Sequence, residues 1–245
     1  MSRVSLALLL IACLLGAALP RAQAQDYARE QRWAEEVVPN VVVGDAVWLK
    51  EPSGRKFLGL YTQASGAKTA VLLVHGLGVH PDHGVIGVLR SALADKGFAT
   101  LSIQMPVLGA DGKLAHYYPA LFPEAGERIA AGASWLAAKG YGRIVLLSHS
   151  LGSWMSEWYL ERTPNEPFAA WVCLGRGGAF AEPAKLHLPV LDVYGENDLP
   201  LVLANAAKRG AAASKQVMIP KADHFYTGRE QALTDAVAAF IAGLK

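Results

Sequence analysis

The chain has 245 residues, 52% hydrophobic and 18% charged, with a formal net charge of +2. That composition fits one well-cored domain and excludes disordered, collagen-like and repeat architectures. Charge this close to neutral argues against nucleic acid and against an anionic membrane surface as partners.

The first 24 residues read as a secretory signal. Arg3 is a short basic start, Val4 to Leu19 is almost wholly apolar, and Ala22-Gln23-Ala24 is a small-x-small cleavage pattern. The apolar run of about 16 residues falls short of the roughly 20 that a spanning helix needs. The readings set beside it are a membrane anchor and a lipidated Cys13, the second disfavoured because the run stays apolar through Leu14, Leu15 and Leu19. The expectation is cleavage after Ala24, a mature chain starting at Gln25 without a membrane span, and a periplasmic or secreted location. Loss of Arg3 and Arg21 leaves 21 basic against 21 acidic residues. Cys173 is then the only cysteine, which precludes an internal disulfide.

Residues 25–44 read as an arm, with Gln25 to Glu36 polar and helical in character and Pro39-Asn40 breaking it. The domain proper is expected over residues 45–245. Ala46–Lys50 and Lys56–Thr62 form a hairpin around Pro52 and Gly54. Thr69–His75 is a buried strand leading into His75-Gly76-Leu77-Gly78. A helix follows over Val85–Lys96, with Asp82 as its cap and Val85, Val88, Leu89 and Leu93 as its apolar stripe. Phe98–Ile103 is a strand, 104–122 a long loop, and Pro123–Lys139 a helix stopped by Gly140. Phe168–Leu174, Pro189–Tyr194 and Gln216–Ile219 are further strands, and Leu199–Arg209 and Glu230–Leu244 are helices. From residue 69 on, strand and helix alternate, which predicts a mostly parallel sheet covered by helices on both faces.

The centre of this pattern is Arg143 to Gly152. Ile144-Val145-Leu146-Leu147 suits a strand buried on both faces, Ser148-His149-Ser150-Leu151-Gly152 turns sharply, and Ser153 to Leu160 continues as a helix. Strand, serine-bearing turn and helix make a nucleophile elbow. The usual pattern is Gly-x-Ser-x-Gly. This chain has Ser148 in the first place and Gly152 in the last, both small enough for so tight a turn. Ser150, Asp198 and His224 all fall at carboxyl ends of strands, where sites of open α/β sheets lie.

These motifs resemble those of the α/β-hydrolase superfamily over about residues 45–245: the His75-Gly76 strand end, the Ser148-to-Gly152 elbow, the Gly195-to-Asp198 turn and Asp223-His224. The chain is also similar to a branch of exported bacterial hydrolase-like proteins that carry only an unknown-function label. The resemblance implies a Ser150–Asp198–His224 triad in that chain order. Ser150 would attack an acyl carbon, His224 would take and return the proton, and Asp198 would hold the histidine tautomer. The N–H groups of Leu77 and Leu151 would bind the oxyanion. Glu196, on the same turn as Asp198, is the alternative acid, and Asp198 has helix capping as its plainer use. His149 reads as packing. Tyr117 in the long loop and Arg176 in the glycine-rich turn after Leu174 are candidate pocket residues. His80, Asp82 and His83 form a weak metal signal, so no metal or cofactor is expected. The short connection after Leu174 implies a small or absent lid. The expected activity is hydrolysis of small carboxylic esters; a peptidase or amidase, or a binding or envelope protein that no longer turns over, are the alternatives. The oligomeric state is not legible.

Overall fold

A computed structural model describes residues 25–110, 112, 120–165 and 167–244. Its strands are β1 (Asp45–Lys50), β2 (Lys56–Thr62), β3 (Thr69–Val74), β4 (Ala99–Ile103), β5 (Arg143–His149), β6 (Phe168–Leu174), β7 (Val190–Gly195) and β8 (Lys215–Ile219). They form one sheet in the order β1-β2-β4-β3-β5-β6-β7-β8. β2 is antiparallel to both its neighbours, and every pairing from β4 to β8 is parallel. The helices are α1 (Tyr27–Val37), α2 (Gly84–Asp95), α3 (Phe122–Ala138), α4 (Leu151–Leu160), α5 (Pro200–Leu203), α6 (Ala206–Ala212) and α7 (Glu230–Ala242). Each expected strand is present within about two residues of its expected ends.

Why the central strands are continuously apolar is visible in their alternation. Leu72, Val74, Leu146, Trp171 and Cys173 point to one face, where α3 and α4 cover them. Val71, Leu73, Val145, Leu147, Val172 and Leu191 point to the other, beneath α2 and α7. A strand buried on both faces has no polar side to show. Full burial of each such aliphatic side chain contributes roughly 1.5–3 kcal/mol. Burial also pushes the Cys173 thiol well up, so it behaves as an apolar filler.

Residues 25–44 are packed onto this body. Ala34 and Val37 of α1 cover Leu58 and Leu60 of β2. The Asp26 N–H donates to the Val107 carbonyl at 2.7 Å. Arg128, fully buried on α3, joins three elements through carboxylates: Glu30 of α1 at 2.7 Å, Glu51 after β1 at 2.8 Å and Glu124 at 2.6 Å. The arm thus closes one side of the domain.

Three local expectations are corrected. Asp82 does not cap α2; His83 occupies that position without a side-chain cap, and the Asp82 carboxylate pairs with Arg90 at 2.6 Å instead. Val88 is 40% exposed, while Ile86, not in the expected stripe, is buried. The helix expected over Leu199–Arg209 is two pieces, α5 and α6, separated at Ala204-Asn205. Among the described residues no helix is long and apolar enough to cross a membrane. The stretch expected to be a signal lies outside the described residues.

Candidate active site

β5 ends at His149, α4 begins at Leu151, and Ser150 alone makes the turn between them. Its φ is 55° and its ψ −122°. A serine in this region is strained by about 1–3 kcal/mol and persists only where the surroundings hold it. Here its N–H donates to the Leu174 carbonyl of neighbouring β6 at 2.9 Å. Two glycines allow the turn to close. A Cβ on Gly152 would sit 2.5 Å from the His75 carbonyl oxygen, and one on Gly76 would sit 3.1 Å from the Ser150 Cβ. Ser148 has a positive function in place of the usual glycine. Its hydroxyl accepts the Trp171 indole N–H at 2.7 Å, with both residues fully buried.

The chain order reverses across β3. From β3 the chain goes outward to β4, then returns to β5 on the other side. That leaves a crevice at the carboxyl ends of β3 and β5. His224, on the loop after β8, reaches Ser150 there: its Nε2 lies 3.0 Å from the Ser150 Oγ, and its Nδ1 lies 2.6 Å from Asp198 Oδ1. The Asp198 carboxylate also accepts the N–H of Gly195 at 3.1 Å and of Leu199 at 2.7 Å. Burial alone would raise its pKa, but the hydrogen bond from His224 and the two N–H groups outweigh that and hold it low. An ionised Asp198 favours the proton on Nδ1, which leaves the Nε2 lone pair facing the Ser150 hydroxyl.

The profile of a family described as "Protein of unknown function (DUF3530)" matches residues 5–124, a stretch that ends before Ser150, Asp198 and His224. No curated protein matches the sequence. Solved structures do match in shape. The dienelactone hydrolase of Anabaena variabilis superposes with a TM-score of 0.67 at 22% identity, over 82% of this chain and 97% of that one. A serine hydrolase without a lid from Xanthomonas campestris gives 0.62 at 16%, over 80% and 93%. The Pyrococcus furiosus esterase Pf2001 gives 0.62 at 13%, over 81% and 91%. The chain has the α/β-hydrolase fold.

On an α/β-hydrolase sheet the supporting residues fall into place. His75 locks the turn after β3: its Nδ1–H donates to the Gly76 carbonyl and its Nε2 accepts the Met105 N–H, both at 2.9 Å. Burial pushes its pKa down to about 3, so it stays neutral. Leu77 follows directly, 40% exposed at the cleft edge. Leu151 opens α4, where N–H groups lack an intrahelical acceptor. Leu77 lines the wider hollow at Ser150 and Leu151 the narrower one. Glu196, the rival acid, faces away, accepting the Lys221 N–H at 2.7 Å. Asp198 does not cap α5, whose cap position is Leu199 without a side-chain cap; the Asp198 carboxylate holds the turn through Gly195 and Leu199 and bonds His224.

His149 does more than pack. Its Nε2–H donates to the His224 carbonyl at 2.9 Å, and its ring lies 4.8 Å from that of His224. Burial, then the neighbouring His224, lowers its pKa to about 4. Asp223 tightens the same loop by accepting the N–H groups of Phe225 and Thr227, each at 3.0 Å. The loop carrying His224 is therefore held from both sides.

Two hollows meet at Ser150. The wider, about 270 Å³, lies under the β3 turn and is lined by Val79, His83, Val85, Ile86, Leu199 and Phe225 among others. The narrower, about 80 Å³, lies beside α4 against Trp154, Gly175, Gly177 and Leu201. Leu77, Leu199, Leu201 and Phe225 are 40–55% exposed around the mouth, an apolar rim. The connection from β6 to β7 holds only a 3-10 turn, Pro183–Lys185, consistent with a small or absent lid.

Arg176 is not a free pocket group. It is fully buried, ion-paired with Glu157, and its guanidinium lies 4.3 Å from the Trp154 ring centroid. A lone buried guanidinium would be prohibitively costly, so its partner sits inside with it. Tyr117 lies outside the described residues. The Asp82 carboxylate is engaged by Arg90, and the His80 and His83 rings meet edge-on at 5.4 Å. Among the described residues no group of three or more His, Cys, Asp or Glu is arranged to hold a metal ion. Leu199, Phe225 and Trp154 went unrecognised in the sequence. The signal for them was position: the first two adjoin Asp198 and His224, and Trp154 lies one helical turn beyond Ser150.

Proposed function

We propose that this protein is an exported serine hydrolase that cleaves carboxylic esters through an acyl-enzyme. The observation that carries the reading is the hydrogen-bond relay Ser150–His224–Asp198 at 3.0 and 2.6 Å, with Ser150 at positive φ on the elbow. In the first half-reaction the Ser150 Oγ bonds to the acyl carbon as its proton passes to His224 Nε2. The C–O bond to the alcohol then breaks, and His224 returns the proton to the departing oxygen. In the second half, water attacks the acyl carbon as its proton passes to His224 Nε2; the Oγ–acyl bond then breaks, His224 gives that proton to the Ser150 Oγ, and the acid leaves. The Leu77 and Leu151 N–H groups supply the oxyanion contacts; loss of one such donor typically costs about 3–4 kcal/mol in the transition state.

The apolar mouth favours uncharged, partly apolar esters over charged substrates. Export is inferred from Arg3, the apolar run to Leu19 and Ala22-Gln23-Ala24. Hydrolysis of p-nitrophenyl acetate tests the enzymatic reading: the wild type should show a burst followed by turnover, and Ser150→Ala should show neither. A folded wild type inactive on short and medium esters would favour a binding protein on the same fold. N-terminal sequencing of the native protein tests export; a chain retaining residue 1 would refute it.

A further inference from the structure

The two hollows at Ser150 differ more than threefold in volume, about 270 against 80 Å³. Resting on the ester-hydrolase reading above, we propose that the narrow one holds the acyl group, that Trp154 sets its length limit, and that the substrates are esters of short acids with larger, apolar alcohols. A compartment of about 80 Å³ has room for only a few water-sized groups, each roughly 30 Å³.

The assignment of sides follows from what must move. The acyl group stays bonded to Ser150 between half-reactions and can occupy the smaller compartment, whereas the alcohol has to depart and needs the larger passage. The wide cleft, bordered by Leu77 at 40% and Phe225 at 55% exposure, gives it that route. A bulky aryl or alkyl alcohol also exceeds the narrow side.

Trp154 is held as a fixed wall. Its ring packs against the buried Arg176 guanidinium at 4.3 Å. Arg176 in turn is pinned by the buried Glu157 carboxylate, which also accepts the Ala181 N–H at 2.7 Å. Trp154 and Glu157 are three apart on α4, so the helix that starts at the nucleophile carries both the wall and the anchor of its brace. A buried ion pair is weak evidence of stabilisation, and here its geometric effect is to fix the surface against which the indole packs. Arg176 is a positioning residue.

The test is kcat/KM for p-nitrophenyl esters from acetate to decanoate, with wild type, Trp154→Ala, Trp154→Phe and Arg176→Lys. Wild type should be fastest at two to four carbons and fall by about tenfold or more at octanoate, the scale one ill-fitting methylene commands in an apolar pocket. Trp154→Ala should move the optimum to longer chains, raising the octanoate-to-acetate ratio about tenfold, and Trp154→Phe should keep the short optimum. Arg176→Lys, a smaller loosening of the brace, should broaden the profile, raising the octanoate-to-acetate ratio by less than Trp154→Ala does. A wild-type optimum at octanoate or longer, or an unchanged profile in Trp154→Ala, overturns the proposal while leaving the hydrolase reading intact. Absence of turnover on every ester and of covalent reaction at Ser150 would instead remove the hydrolase reading beneath it.

Discussion

Ser148→Ala tests whether the residue that breaks the usual elbow pattern is there for the indole behind it. The change removes one oxygen from a fully buried site and leaves the Trp171 Nε1–H, now 2.7 Å from that oxygen, without its acceptor. An orphaned buried donor costs about 1–3 kcal/mol. For a domain of this size each kcal/mol shifts Tm by about 2–4 °C, so the expected loss is roughly 2–12 °C. Urea unfolding followed by far-ultraviolet circular dichroism gives the free energy directly. The diagnostic comparison is the same substitution in Trp171→Phe. With no indole N–H to satisfy, the Ser148 hydroxyl is the unpaired group, and replacing it by alanine should be nearly neutral or stabilising. Ester hydrolysis should persist in Ser148→Ala, because its oxygen faces Trp171 and not the cleft. A cost below about 0.5 kcal/mol, or an equal cost in both backgrounds, would refute the reasoning.

Other consequences follow from the same geometry. Asp198→Asn should lower kcat by up to about ten-thousand-fold, since an amide leaves the wrong histidine tautomer favoured; stopped-flow turnover measures it. Ser150→Gly should abolish turnover yet raise stability by about 1 kcal/mol, because glycine adopts φ 55° without strain; a large loss on unfolding would contradict this. His149, with a pKa near 4 when folded against an ordinary value near 6.5, binds fewer protons folded than unfolded between those pH values. Its contribution is therefore present above pH 6.5 and lost as pH falls toward 4, by up to about 1.4 kcal/mol per pH unit. Urea midpoints from pH 7 to 4.5 should decline less steeply in His149→Gln than in wild type.

Much of the fold was legible because the sheet is buried on both faces, and such strands write themselves as unbroken aliphatic runs, as Val71 to Val74 and Ile144 to Leu147 do. The relay was legible because strand ends mark where reactive side chains converge, and Ser150, Asp198 and His224 each follow one. Pairings between distant charges were not. Arg176 and Glu157 are 19 residues apart on different elements, and a charged residue in a glycine-rich turn reads as exposed until its partner is seen. Arg128 likewise gathers Glu30, Glu51 and Glu124 from three segments, which is why the role of residues 25–44 was hidden. The split between α5 and α6 carries no glycine or proline signal. Tertiary contacts decide it: Arg209 reaches back to the Val202 carbonyl and to Asp192 of β7.

The central claim is that Ser150 is a nucleophile activated by His224. Incubation with an alkyl fluorophosphonate followed by peptide mass spectrometry tests it most directly. The account predicts one covalent adduct on the wild type, located at Ser150, absent from Ser150→Ala and strongly slowed in His224→Ala and Asp198→Asn. A folded wild type that stays unlabelled, or one that reacts equally fast after loss of His224, would contradict it.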